Sequence, residues 1–289
     1  MNPLLSRMQR LADPSQVAGL SRFFKTGPGQ YGEGDKFLGI KVPGTRQAVK
    51  ECWRDLTMKD LEECISSEYH EVRLAALLAL VEIFKHSRPP IRSGVTGKES
   101  GVTGKESGVT GKESCPTRSG ILPEQCVQFY LSHTDYINNW DLVDLSCYPL
   151  LGVWLLDKDR SLLYDFARNG RNIWEQRIGI VSTMTFIRAG QLEDTFAIAD
   201  ILLYHSHDLI HKAVGWLLRE AGKRDRTALE SYLQGTRPGE AGIRSGDVSG
   251  VGLVDARRQR YLTMPRTALR YAIEKFPEPL RQRYLSGKV

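Results

Sequence analysis

The sequence is poor in the features that commit a chain to a membrane, an oxidising compartment or a metal. Its five cysteines, Cys52, Cys64, Cys115, Cys126 and Cys147, are scattered with no CxxC spacing, which argues for reduced thiols rather than a disulfide framework or a zinc site. No stretch reaches about eighteen consecutive apolar residues, so no membrane-spanning segment is expected. The opening MNPLLSRMQRLADPSQ lacks the apolar run of a signal peptide, and the expected compartment is the cytoplasm, next to the nucleoid if the cell is bacterial. Alternating apolar and polar runs of strand length are also scarce, which turns attention to helices.

What is present is an ordinary globular composition, 41% hydrophobic and 26% charged, in 289 residues. Forty Lys and Arg against 34 Asp and Glu leave a formal charge of +6. That excess permits a polyanionic partner only if the cations share a face. Two segments cannot contribute to a core. SGVTGKE runs three times from Ser93 to Glu113, and a glycine-rich stretch runs from Gly235 to about Val254. We read them as flexible insertions near 87–119 and 235–256 in one repeat domain spanning 1–289.

The remaining helical segments resemble one another. HEVRLAALLAL, WEQRIGIVSTM, IHKAVGWLLRE and MPRTALRYAIE each place a cation (Arg73, Arg177, Lys212, Arg266) before a small and aliphatic run. Arg177 to Lys212 is a step of 35 residues, and the other intervals approach one or two such steps once the insertions are removed. A period in the mid-thirties built from helix pairs is the mark of an α-solenoid of HEAT-like type. The expected architecture is an all-α superhelix, a solenoid whose curvature produces a concave face.

Helical angles place the candidate site. Counting 100° per residue from Lys212, the residues Trp216, Arg219 and Lys223 fall on one stripe opposite Ile210, Ala213, Val214, Leu217 and Ala221. A Trp among cations, away from the core face, suits phosphate beside a flat or sugar-like group. In NNWDLVDLS, Asn138 or Asn139 caps a helix on which Trp140 and Asp144 stack at i and i+4, with Cys147 and Leu151 continuing the stripe. Leu142 and Leu145 point toward the core, and Asp141 reads as a first-turn anion favoured by the helix dipole. Asn172 caps the next helix, with Glu175 in capping-box position. Arg177 sits at the edge of an apolar arc and requires an anion, either a phosphate or an acid such as Asp144 in a structural ion pair. Two aromatic walls, a carboxylate and flanking cations would hold a cationic sugar-like group while gripping phosphates.

NNWDLVD, NIWEQR and AVGWLLRE, together with FLGIKVP near Phe37 and MPRTALRYAIEKFP near the C-terminus, resemble the AlkD-type family of HEAT-like repeat DNA glycosylases. The resemblance implies an all-α, C-shaped solenoid that binds double-stranded, alkylated DNA in a concave basic face, as a monomer. It also implies hydrolysis of the N-glycosidic bond of N3- or N7-alkylated purines, with neither metal nor organic cofactor. Carried over position by position, it makes Asp144 the catalytic carboxylate, Trp140 and Trp216 the walls at the deoxyribose, and Arg177 a site arginine contacting the backbone. Lys212, Arg219 and Lys223 are the expected DNA-binding cations. The N-terminal GEGD loop departs from the family pattern, and Glu33 and Asp35 there read as a tight glycine turn. Two alternatives stay open: a DNA-structure-binding relative without excision activity, and an α-solenoid protein-interaction scaffold.

Overall fold

The computed structural model describes residues 1–88, 120–236 and 259–289, so most of both proposed insertions lies outside the described residues. Among the described residues the secondary structure is helical. No strand occurs, and a single isolated bridge pairs Lys36 with Tyr69. The helices are α1 (Pro3–Arg10), α2 (Pro14–Phe23), α3 (Val42–Cys52), α4 (Met58–Ile65), α5 (His70–Ser87) and α6 (Pro123–Ser132). They continue as α7 (Trp140–Cys147), α8 (Ser161–Asn169), α9 (Ile173–Val181), α10 (Met184–Arg188), α11 (Glu193–Leu202), α12 (Asp208–Arg224) and α13 (Arg226–Gln234). The last are α14 (Arg260–Thr263), α15 (Arg266–Ala272) and α16 (Glu278–Ser286). The expected α-solenoid class holds. None of these helices is long and apolar enough to cross a membrane.

Local chemistry sets the helix starts. Asn2, Asp13, Asn139, Asn172 and Asp225 cap α1, α2, α7, α9 and α13 through their side-chain oxygens, and Pro3 and Pro14 follow two of these caps. Thr57 and Asp60 form a reciprocal capping box at α4. In α9 the expected box takes another form: Glu175 accepts the backbone N–H of Arg171, one residue before the cap, at 2.7 Å.

The chain divides into two compact units, Met1–Tyr136 and Ile137–Val289. In the first, α5 is the central helix. Every residue from His70 to Val81 is buried, as are Ile83 and Phe84, because α5 is apolar nearly all round and is packed by α3, α4 and α6. In the second unit, α9 is likewise buried from Trp174 to Val181 except at Gln176, with α7, α8, α11 and α12 against it. The closest approaches there need glycine. A Cβ on Gly179 would stand 2.8 Å from the Leu163 carbonyl oxygen, and one on Gly215 would stand 2.5 Å from that of Ala268, between α12 and α15.

The repeat cations divide by environment. Arg73 and Arg177 are both buried, and each pairs with an upstream aspartate, Asp35 and Asp144. In both segments a buried glutamate two residues earlier holds the incoming chain. Glu71 accepts the backbone N–H groups of Leu38, Gly39 and Ile40 at 2.9–3.0 Å, and Glu175 does the same for Arg171. The FLGIKVP segment is therefore fastened to α5 by a carboxylate in a backbone nest. Lys212 and Arg266 stand instead at the surface. The former pairs with Asp208 one turn away, and the latter donates to the Leu285 carbonyl. The buried arginine of the C-terminal segment is Arg260, bound to Asp200, and the sequence alignment of cations passed over it.

Asp35 is more than a turn residue. Gly34 supplies the positive φ of 88° that a turn requires, while the Asp35 side chain, only 3% exposed, accepts from Arg73 at 2.6 Å and meets His70 Nδ1 at 3.1 Å. Phe24 and Phe37 pack their rings on His70. Burial acts to raise the Asp35 carboxyl, but the hydrogen bond from His70 and the charge of Arg73 outweigh it and leave it below 3.8. A depressed folded value stabilises the unit above the unfolded value, and that stability is lost as pH falls through the folded one. Asp35→Asn leaves Arg73 buried without its anion. Urea denaturation at neutral pH should show a loss of about 3–5 kcal/mol, with the difference from wild type shrinking below pH 3.8.

Candidate active site

Asn139, fully buried, accepts the Trp140 N–H at 2.9 Å and starts α7. Of the two asparagines offered by the sequence, it is the cap. Trp140 follows half-buried, and Asp144 lies one turn further along the same helix. Asp141 is buried at the helix start and its carboxylate accepts the Leu142 N–H, a structural role as expected. The predicted stripe does not continue along the surface. Cys147 and Leu151 are both fully buried, and Leu145 is half-buried while Leu142 alone is fully in the core. For Leu151 the reason is local, since the chain passes from α7 into a π-helical turn at Tyr148–Gly152, where counting at 100° per residue fails. Cys147, the last residue of α7, is instead covered from α9, at whose end it meets the Ser182 side chain. Burial raises the Cys147 thiol far above its ordinary range, so it is an inert core group beside the site.

Asp144 and Arg177 meet in a bidentate fork. Nε donates to Oδ1 at 2.8 Å and Nη2 to Oδ2 at 2.7 Å, while Nη1 donates to the Leu209 carbonyl at 2.6 Å. The Arg177 side chain is 6% exposed and that of Asp144 14%, so of the two the acid lies nearer to solvent. The anion that the buried Arg177 requires is thus supplied by the chain itself. Burial pushes the Asp144 carboxyl above its usual value, Arg177 pulls it back, and nearby Asp141 adds to the rise. Three consecutive layers are tied by this fork: α7 through Asp144, α9 through Arg177, and the start of α12 through Leu209.

Trp216 stands on α12 opposite the fully buried Ile210, Ala213, Val214, Leu217 and Ala221, as the angular count requires. It lines an open cavity of about 530 Å³ whose other apolar walls are Met184 and Ile187, with Arg188, Lys223, Arg224 and Glu220 at the polar edge. Neither Trp140 nor Asp144 lines that cavity. The cations predicted around Trp216 share its side of the helix but are matched by acids. Lys212 pairs with Asp208 at 2.8 Å, Lys223 with Glu220 at 2.7 Å, and Arg219 with both Glu220 and Glu274. Arg188 and Arg224, both exposed, were missed by sequence reasoning. Arg224 lies eight residues beyond Trp216 on α12, about 80° off its stripe by the angular count, yet lines the same cavity. Arg188 comes from α10, and its only signal would have been a fold-level alignment. Its guanidinium lies 4.8 Å from the centre of the Tyr148 ring. Among the described residues, no group of three or more His, Cys, Asp or Glu is placed to hold a metal ion.

Set beside known proteins, the chain is similar in fold to a solved structure described as a predicted DNA alkylation repair enzyme from Enterococcus faecalis. The two share 13% identity over 92% of this chain and 97% of that one, with a TM-score of 0.57. No curated protein matches the chain. The sequence model of one family, described as DNA alkylation repair enzyme, matches residues 4–276, nearly the whole chain. That span contains the Asp144–Arg177 fork, both tryptophans and the Glu71-anchored FLGIKVP segment, and on that match the chain belongs to the DNA alkylation repair enzyme family.

Proposed function

We propose that the protein is a monofunctional DNA glycosylase that hydrolyses the N-glycosidic bond of N3- and N7-alkylated purines in duplex DNA. The observation that carries this reading is the Asp144–Arg177 fork one turn from Trp140: a carboxylate held at both oxygens, largely desolvated, on the helix that carries a half-buried tryptophan. An N3- or N7-alkylated purine already bears a positive charge, so it leaves without a strong general acid. The residual task is to stabilise an oxocarbenium-like sugar and to align water. A preorganised anion does both in a site of low dielectric. Trp140, one turn from Asp144, offers a ring face that attracts the cationic sugar by about 0.5–2 kcal/mol, while Trp216, on a cavity that neither of them lines, is assigned to the flanking duplex.

Arg177 is assigned here as a positioning residue. Its Nε, Nη1 and Nη2 are all engaged within the protein, and its side chain is almost wholly buried, so orienting Asp144 is a better-supported role than gripping a phosphate. Phosphate contact falls to the exposed cations of the Trp216 face, Lys223, Arg188 and Arg224, with Lys212 and Arg219 exchanging their present acidic partners for phosphate oxygens. Duplex DNA bound by a monomer in the cytoplasm completes the reading.

A second reading, a DNA-binding relative without excision activity, is favoured by one specific observation: a carboxylate bound at both oxygens by arginine exerts a weaker field on a nearby cation than a free one. One assay separates the two. Duplex DNA carrying 7-methylguanine or 3-methyladenine is incubated with the protein, and free base is measured. Release by the wild type, reduced about 10²–10³-fold in Asp144→Asn with duplex binding retained, is the expected result. Tight binding with no release selects the second reading. Because the reaction uses ionised Asp144 and its carboxyl titrates above 3.8, release should fall on the acid side before an ordinary aspartate would protonate. Duplex affinity should also fall as salt rises, and Lys223→Ala should flatten the log–log slope by about 1. Affinity indifferent to salt would remove the phosphate contacts from the proposal.

A further inference from the structure

Just before α12, in YHSHDLIHK, three histidines form a chain of hydrogen bonds that the proposed chemistry does not use. His205 Nδ1 accepts the backbone N–H of His207 at 3.0 Å. His207 in turn caps α12: its Nδ1 accepts the Leu209 N–H at 3.1 Å. His211 Nε2 donates to the His205 carbonyl and closes the turn from the other side. A backbone N–H only donates, so both acceptor nitrogens are unprotonated and His205 and His207 carry their hydrogens on Nε2. Leu209 is then held at both of its backbone groups, by His207 at N–H and by Arg177 at C=O, and Arg177 is the residue that forks Asp144.

We propose that His207 is a titratable positioning residue for Asp144, acting through the Leu209 backbone and Arg177, and that its protonation loosens the fork. The proposal rests on the excision reading for its effect on catalysis, though the relay itself is a property of the fold. Protonated at Nδ1, His207 turns from acceptor to donor and faces the Leu209 N–H, so the cap is lost. It also places a positive charge at a helix N-terminus, where the dipole opposes it. His205 meets the same conflict with the His207 N–H. The Leu209 carbonyl loses its fixed position, and with it goes the third hydrogen bond that orients the guanidinium.

The charges around His207 agree on the direction. Burial lowers its value from 6.5. Asp208 opposes this, but Asp208 is itself bound to Lys212 and to Thr267 of α15, and His211 and Lys212 add repulsion. Burial also lowers His205, aided by His207 and His211. From α9, Arg177 brings a further cation to the Leu209 carbonyl, neutralised by Asp144. With the folded value below the unfolded one, the unfolded chain takes up more protons, and this contribution to stability is lost as pH falls below 6.5.

The test uses the full chain, His207→Asn and His207→Ala. Asparagine supplies an acceptor that does not titrate, with the i to i+2 geometry that Asn172 already uses at α9. The Arg177 Nε–H resonance is followed from pH 7.5 to 5, together with thermal unfolding and, on 7-methylguanine DNA, kcat and KM for base release. In the wild type, the protection of the Arg177 Nε–H, taken relative to the intrinsic exchange rate at each pH, should fall at least about tenfold and kcat several-fold as pH drops below 6.5, with KM unchanged. His207→Asn should keep the signal slow across that range, and His207→Ala should show the loosened state even at pH 7.5. Identical pH dependence in the wild type and His207→Asn, or a wild-type signal in His207→Ala, overturns the proposal. A wild type that releases no base at any pH overturns the excision reading instead, and the Arg177 signal and the unfolding curves still decide the relay.

Discussion

Each buried arginine among the described residues must find an anion, and much of the architecture follows from that demand. Arg73, Arg177 and Arg260 are each about nineteen-twentieths buried, and each is met by an aspartate: Asp35, Asp144 and Asp200. A guanidinium removed from water without a partner costs several kcal/mol, so helix placement that failed to deliver the acid would be strongly penalised. The acids come from an earlier element in each case. The pairs therefore fix the register of one layer on the next, where aliphatic contacts alone would tolerate sliding. The Asp144–Arg177 fork is one member of this set, its acid side chain 14% exposed against 3% for Asp35 and 39% for Asp200, and it is distinguished by the half-buried tryptophan one turn before the acid.

That shared origin explains why a site can arise here with little rearrangement. In the N-terminal unit the equivalent carboxylate, Asp35, is closed over by His70, Phe24 and Phe37 and does structural work. In the C-terminal unit Asp144 sits one turn from a half-buried tryptophan instead, and its side chain is 14% exposed where that of Asp35 is 3%. A fold whose layers are already pinned by buried charge pairs needs only to uncover one of them to present an oriented anion. The glutamates two residues before Arg73 and Arg177 serve a separate purpose. They satisfy backbone N–H groups of the arriving segment, which keeps the pinned layers from fraying where the chain enters.

How far the sequence disclosed this depends on whether the signal was local. Helix class, the Asn139 and Asn172 caps, the core face of α12 and the surface position of Trp216 all follow from spacing within one helix, and spacing is readable. The failures lie where an interaction spans elements or the helix geometry changes. Asp35 resembled a glycine turn because its partners are 35 and 38 residues away, at His70 and Arg73. Leu151 seemed to extend a surface stripe because a π turn is invisible to a fixed angular count, and Cys147 because its cover comes from another element, at Ser182. Arg266 was matched to Arg177 by motif, while the residue that fills the buried role is Arg260, in a segment without the small and aliphatic run. The cations around Trp216 were placed on the correct face, yet their acidic partners could not be assigned, since Glu274 reaches Arg219 from 55 residues downstream.

Those acidic partners bear on recognition. A surface whose cations are already paired presents a smaller net field than its arginine and lysine content suggests, so phosphate must displace Asp208, Glu220 and Glu274 to gain full contact. Exposed pairs are worth only about 0–1 kcal/mol each, a barrier that a duplex carrying a charge every few ångströms overcomes readily. The exchange is cheap at the solvent-exposed rim and expensive at the buried fork, where Arg177 has no water to replace Asp144. Binding can therefore remodel the Trp216 face while leaving the Asp144 geometry intact. In the proposed glycosylase, this separation would let the rim grip any phosphate backbone while the carboxylate stays fixed for a cationic sugar.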